Sequence, residues 1–242
     1  MTLFINNIRV KPQFWPTLIT TLFVVVLLGL GAWQLERRAW KHHLIAHISD
    51  QQAAPEVLLP MSPPADMNAW NYRHATVSGT FLHAHEFHLI GRSLAGAVGY
   101  YILTPLQTSS GQIYLINRGF VPTAQKDVST RAAHNPEGPV TISGILRVYY
   151  DKKWFMPDND ADKNVWFFVD HTHMQRRLGT LDAWPNIVLE AAKTQALPLG
   201  GQTRLDLPDN HLMYAIFWFV GALACFAIFI ISQSSRGGDG DR

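Results

Sequence analysis

Residues 208–219 read PDNHLMYAIFWF. His211 closes a polar turn and opens an apolar run, with Tyr214 three residues on and Trp218 seven on. Those offsets put all three side chains on one stripe of a helix. The positive end of the helix dipole disfavours imidazolium there and favours neutral imidazole, the form that ligates a metal. Asp209 or Asn210 can cap the helix, because a side-chain oxygen accepts from the free first-turn amides. Histidine is a common axial ligand of haem iron, and an apolar, aromatic wall suits a macrocycle. The stripe can therefore hold a flat hydrophobic cofactor at a membrane surface, with His211 on the metal. A plainer reading stands beside it: an interfacial histidine bonds to water or headgroups, and Tyr and Trp are enriched at that depth anyway.

Other residues with metal-binding side chains are less organised. His83, His85 and His88 form HAHEFH; on a strand the first two share a face and His88 opposes them. His42, His43 and His47 fall on a helical pattern, with His43 and His47 four apart on one face. His171 and His173 open a short helical stretch. None of these groups has a full ligand set, so surface or hydrogen-bonded histidine is the preferred reading. PDNDADKN at 157–164 suggests calcium but lacks the glycine and distal glutamate of an EF-hand loop; a solvated turn fits better. The chain has no GxSxG, no HExxH and no phosphate-cradling glycine loop, which argues against an enzyme. Its one cysteine, Cys225, permits no intrachain disulfide, no CxxC pair and no thiolate cage.

The elements that must position His211 follow from charge and hydropathy. The 242-residue chain averages to nearly neutral hydropathy, but the average conceals a partition. No charged residue occurs from Pro12 to Leu35, nor from Asn210 to Ser235. A span needs about 20 mostly apolar residues, and both runs satisfy that. Trp15 and Trp33 bracket the first run, about 27 Å apart at helical rise, the spacing of aromatic belts at two interfaces. A cleaved signal peptide is the alternative there, since GLGA supplies small residues; the length of the run favours a retained anchor. Arg9, Lys11, Arg236 and Arg242 in the short tails place both tails in the cytoplasm and the middle outside; Arg37, Arg38 and Lys41 argue the other way.

The segment from Glu36 to Asp209 holds 16 Lys+Arg and 16 Asp+Glu, so it has no basic field for nucleic acid. RRAWKHHLIAHISDQQAAP continues the first helix as far as Pro55, and residues 56–70 are a loop. Then come β-branched and aromatic runs divided by Gly, Pro and Asn: RHATVSGTFL, EFHLIGR, GYYILTPLQT, QIYLINRGFV, VTISGILRVY, VWFFVD and NIVLEAA. LQTSSGQIYLI reads as a hairpin, and DHTHMQRRLG as a short helix stopped by Gly179. The expected fold is two transmembrane helices flanking a β-rich α+β domain, its antiparallel sheet curved or closed like a barrel to hide its edges. The expected layout is a cytoplasmic tail 1–13, transmembrane helix 14–35, exported domain 36–209, transmembrane helix 210–232 and disordered cytoplasmic tail 233–242.

Several of these stretches occur in an order that resembles one family. GAWQLERRAWK closes the first span; YRHATVSGTF, Arg92, GYYILTPL and INRGFVP follow; then VTISGILR, a Pro-Asn loop into VWFFVD, and PDNHLMYAIFWF. The chain is similar to the Surfeit locus protein 1 family, assembly factors of cytochrome c oxidase in bacteria and mitochondria. The resemblance implies two spans with an exported domain between them, no established catalytic activity, and help in building the haem a–copper centre of oxidase subunit I. It further implies transient haem a binding in bacterial members, through a histidine and a tryptophan seven residues apart in the second span. The matching positions are His211 and Trp218; Tyr214 joins them as a wall residue by helical spacing alone. Implied partners are subunit I, haem a synthase and membrane lipid. The lack of an Arg-rich segment before the first span favours a bacterial inner membrane. A second expectation from another class is a cofactor-free scaffold tethered beside the oxidase. Arg92 and Arg147 are further candidates, as carboxylate partners, and Arg118 is expected to pair internally.

Overall fold

The computed structural model describes residues 3–5, 8–10, 13–59, 65–149, 152–179 and 187–236. In chain order these begin with β1 (Leu3–Ile5), β2 (Ile8–Val10), α1 (Phe14–Ala53), β3 (Val57–Leu58), β4 (His74–Phe81), β5 (Phe87–Leu94) and β6 (Ala97–Gln107). There follow β7 (Ile113–Pro122), β8 (Pro139–Val148), β9 (Val165–Trp166), α2 (His171–Leu178), β10 (Ile187–Ala191), α3 (His211–Gln233) and β11 (Ser234–Arg236). The chain divides into two compact units, Met1–Ala46 with Asp206–Arg242, and His47–Leu205.

The first unit is built on two helices long and apolar enough to cross a membrane. α1 tolerates Pro16 in its first turn, where amides lack helical partners anyway, and stops at Ala53 before Pro55. The part-buried residues of α1 recur at Thr17, Thr20, Val24, Leu27, Gly31, Gln34, Arg38 and Lys41, in alternating steps of three and four. Those of α3 recur at His211, Ala215, Trp218, Ala222, Cys225 and Phe229, with the same alternation. This is the seam of two antiparallel helices packed side by side. Close approach is made possible by Gly31, where an added Cβ would overlap the Phe219 ring, and by Ala215 and Ala222, which are buried. Gln13 N–H donates to Gln233 Oε1 (3.1 Å), so the start of α1 meets the end of α3. The remaining faces of both helices carry exposed Leu, Val, Ile and Phe.

That meeting point corrects one expectation. The tail from 233 reads as disordered by composition, yet Ser234–Arg236 pair antiparallel with β2, from Ser234↔Val10 to Arg236↔Ile8. Bringing the two helix ends together presents the tail backbone with an unpaired strand edge, which composition cannot anticipate. Residues 237–242 lie outside the described residues.

The second unit is a sheet of order β3-β4-β8-β10-β7-β6-β5-β9. The expected hairpin is present: β6 and β7 pair antiparallel from Gly99↔Pro122 to Gln107↔Ile113, around the Ser-Gly turn. A purely antiparallel sheet is not. β10 runs parallel to β7 (Leu189↔Ile116), β3 to β4 and β9 to β5, so the sheet is mixed. β10 returns after α2 to slot between β7 and β8, and one of its two neighbours must then run alongside it. An additional pairing, Thr80↔Gln107 and Phe81↔Leu106, joins β4 to β6. Ladder hydrogen bonds thus run from β4 through β8, β10, β7 and β6 back to β4.

β7 and β10 are buried on both faces. Tyr114, Ile116, Ile187 and Leu189 point into one core with Phe81, Leu106 and Leu146. Leu115 and Val188 point into the other, with Phe87, Leu103, Trp166 and Met174 of α2. Alternation of side chains across a strand produces that division. α2 matches its expected bounds: Asp170 caps it by accepting from His173 N–H (3.1 Å), and Gly179 closes it in the left-handed region.

Candidate functional site

α3 starts where Asp209 ends the polar turn. Asp209 Oδ1 accepts from His211 N–H (3.1 Å), so Asp209 rather than Asn210 supplies the cap. That amide hydrogen bond, followed by the His42 contact, holds the Asp209 carboxyl below the usual carboxylate range. Its Oδ2 lies 2.9 Å from His42 Nε2 and 3.7 Å from Arg38 Nε. Lys41 donates to the Pro208 carbonyl, and the Arg37 guanidinium lies 3.9 Å from the Trp40 ring centroid. Two of the cations beyond the first apolar run, Arg38 and Lys41, therefore tie α1 to the turn that opens α3, while Arg37 stacks within α1.

Within the seam, His211 Nδ1 lies 2.8 Å from Gln34 Oε1. An amide oxygen only accepts, so Nδ1 carries the hydrogen, and in the neutral ring Nε2 is then the nitrogen with the lone pair. A metal-ligating histidine is oriented in the same way, by a partner on the nitrogen that does not bind the metal. Among the described residues Nε2 has no hydrogen-bond partner. Trp218 follows two turns on, with its indole against the Phe217 ring (5.5 Å between centroids) and Nε1–H buried without an acceptor. Tyr214 is 55% exposed and Met213 74%, while Ala215 is 1% exposed. The structure thus brings His211 and Trp218 onto one packed stripe and leaves Tyr214 on the outer flank. Helical spacing put all three within one broad arc; the contact with α1 chose its centre.

These residues fit a haem as far as ligation goes. In the neutral ring the nitrogen turned away from Gln34 is available to a metal, and one buried indole N–H lacks an acceptor such as a propionate oxygen could be. Gln34 was not among the expected site residues. Its sequence signal is visible in retrospect: a lone amide at the end of a charge-free run, where a polar side chain needs a partner.

The domain's own polar residues are occupied elsewhere. His83–His85 form a turn of 3₁₀ helix rather than a strand, and His83 Nε2 contacts the Pro136 carbonyl (3.1 Å). His88 Nε2 binds Glu86 Oε1 (2.8 Å), and Glu86 also pairs with the fully buried Arg131. Removing one partner of such a buried pair costs about 3–5 kcal/mol. Glu190 accepts from Tyr149 Oη (2.5 Å) and Asn117 Nδ2 (2.8 Å), and burial raises its carboxyl above the usual range. Arg92 and Arg147 lie close enough to favour its charged form. Arg118 bonds internally to Asn135 Oδ1 and the His134 carbonyl, as expected of it. In the PDNDADKN turn, Asp158 pairs with Lys152 and Asp160 with Lys163. Among the described residues no three His, Cys, Asp or Glu side chains gather as a metal cluster.

Comparison with known proteins identifies the family. A sequence model described as the SURF1 family matches residues 21–223, from within α1 to within α3. A SURF1-like protein of Monosiga brevicollis is 32% identical over 224 residues, covering 88% of this chain and 85% of that protein. Surfeit locus protein 1 of Rattus norvegicus is 33% identical over 210 residues (79% and 67%), and that of Homo sapiens 32% over 214 residues (82% and 71%). The chain belongs to the SURF1 family.

Proposed function

We propose that this chain is a non-enzymatic assembly factor of haem–copper cytochrome c oxidase, holding haem a transiently and passing it to subunit I. The observation that carries the reading is the Gln34–His211 hydrogen bond, which leaves one imidazole nitrogen with a free lone pair at the opening of α3. Haem a, when bound, supplies an iron that accepts such a nitrogen. His211 ligates, Gln34 orients the ring, and Trp218 offers apolar surface and a hydrogen-bond donor. A single protein ligand to the iron would suit a carrier, because the cargo must leave again. α1 and α3 cross the membrane in this reading, with the tails on the cytoplasmic side and the sheet domain exported. The membrane in this reading is the inner membrane of a bacterium, whereas the relatives named above are eukaryotic. Subunit I and haem a synthase are the partners that the route of haem a requires.

His211→Ala should reduce the pigment retained by protein purified from haem-a-producing cells, with membrane insertion intact. Equal pigment in variant and wild type refutes the haem assignment. A second reading has its own support: Met213 and Tyr214 on α3, with Phe217 at 66% exposure, form an outward apolar strip suited to packing against another protein's helices. A scaffold of that kind restores oxidase assembly with His211→Ala as well as with wild type, whereas a haem carrier does not.

A further inference from the structure

A second candidate site lies wholly within the sheet domain. Arg118, in the middle of the double-buried β7, is only 7% exposed. Nη1 donates to Asn135 Oδ1 (2.8 Å) and Nη2 to the His134 carbonyl (2.9 Å), with His83 Nδ1 3.4 Å from Nη1. The guanidinium carbon stands 5.0 Å from the Phe81 ring centroid. All these partners are neutral acceptors or π faces. Among the described residues no carboxylate comes within ion-pair distance of Arg118, because the adjacent Glu86 is committed to Arg131 and His88. A buried cation with no carboxylate in direct contact is an expensive arrangement for a fold to keep. Its basicity reflects this: burial first, and then Arg131, lower the Arg118 pKa to about 10, with Glu86 opposing.

Arg118 also lines a half-open cavity of about 200 Å³ whose other walls are chiefly apolar, among them Phe81, Ile142, Ala191, Leu197 and Pro198. The missing ingredient is an anion, and the walls ask for an apolar group attached to it. The volume is that of roughly one aliphatic residue. The geometry points to a binding site for the C-terminal residue of a polypeptide, its apolar side chain in the cavity and its α-carboxylate on the Arg118 guanidinium. Guanidinium and carboxylate form the stronger, charge-assisted class of hydrogen bond, and capture of a chain end is a known recognition mode. This inference is independent of haem binding and assigns the exported domain a polypeptide partner of its own.

The test is calorimetric titration of the full-length protein in lipid nanodiscs with N-acetyl-Ala-Leu, its C-terminal amide, and hexanoate. The free acid should bind, the amide about tenfold more weakly, because it forfeits the ion pair. Arg118→Gln should abolish the difference between acid and amide. Should that variant fail to fold, Ala196→Trp, at an exposed lining position of the cavity, should weaken the acid by a similar factor with Arg118 in place. Equal binding of acid and amide overturns the proposal, as does no binding of the acid up to about 10 mM, tenfold above a millimolar dissociation constant. Binding of hexanoate without the peptide acid also overturns it, since the site would then serve small acids instead.

Discussion

At the residue scale, the proposed haem contact turns on which nitrogen of one imidazole carries hydrogen. Gln34 Oε1 fixes that choice in His211 from 2.8 Å. Gln34→Leu should therefore weaken haem retention about tenfold, the lower end of losses seen when an outer-shell partner of a metal ligand is removed. Gln34→Glu keeps an acceptor and adds charge, so it should retain pigment and lower the haem reduction potential by making the imidazole more basic; redox titration of both variants checks this. His171 poses a different residue-scale question. Burial lowers its pKa from 6.5 to about 4, against the smaller opposing effect of Asp170. Between those values the unfolded chain binds a proton that the folded chain refuses. Stability is then complete above pH 6.5 and falls as pH drops toward 4, by on the order of 3 kcal/mol from this group. Thermal melts at pH 7 and pH 4.5 should show a smaller acid-induced drop for His171→Leu than for wild type.

At the element scale, close backbone approaches hold the sheet domain together. Gly119 interrupts β7 at φ +116°, a conformation that side chains rarely adopt, and an added Cβ would overlap the Leu199 carbonyl oxygen. That approach allows Phe120 and Leu199 to exchange backbone hydrogen bonds of 3.0 and 2.8 Å, tying the strand to the segment after β10. Gly119→Ala should destabilise the domain by about 3 kcal/mol, combining strain with a displaced backbone, as measured by chemical unfolding. The adjoining Arg118 lines the cavity described above, so the INRGF stretch of β7 serves a close backbone approach and the proposed ligand site from neighbouring residues. The helices have their own version of this economy: Gly31, Ala215 and Ala222 bring α1 and α3 close enough for Gln34 to reach His211.

At the scale of the whole molecule, two units that dispose of apolar surface in opposite ways share one chain. The sheet unit buries its apolar residues in two cores, whereas the helices turn theirs outward. Such outward surface is stable only in lipid or against another apolar surface. The topology proposed above predicts opposite labelling of two introduced cysteines, in a Cys225→Ala background. An impermeant maleimide should modify Ser110→Cys in the β6–β7 turn from the exported side. Ser235→Cys should react only after the membrane is permeabilised. Labelling of both from one side would remove the two-span arrangement.

The helical and hairpin elements were legible from pattern alone. Runs without charge, a proline after Ala53, Ser-Gly between two β-branched runs, and Asp170 with Gly179 around a polar helix are local signals, decided by solvation and backbone geometry within a few residues. The shared helical stripe of His211 and Trp218 was legible for the same reason, since helical spacing is local. The residues that complete each site were not. Gln34 stands 177 positions from His211 and meets it only because two helices pack antiparallel at small residues. Likewise Arg118 lacks a carboxylate because Glu86 pairs with Arg131, and β10 lies parallel to β7 because of where the chain returns. Local periodicity determines which faces are apolar; which apolar faces meet is settled by packing across the chain, and with it the partner that each buried polar group finds.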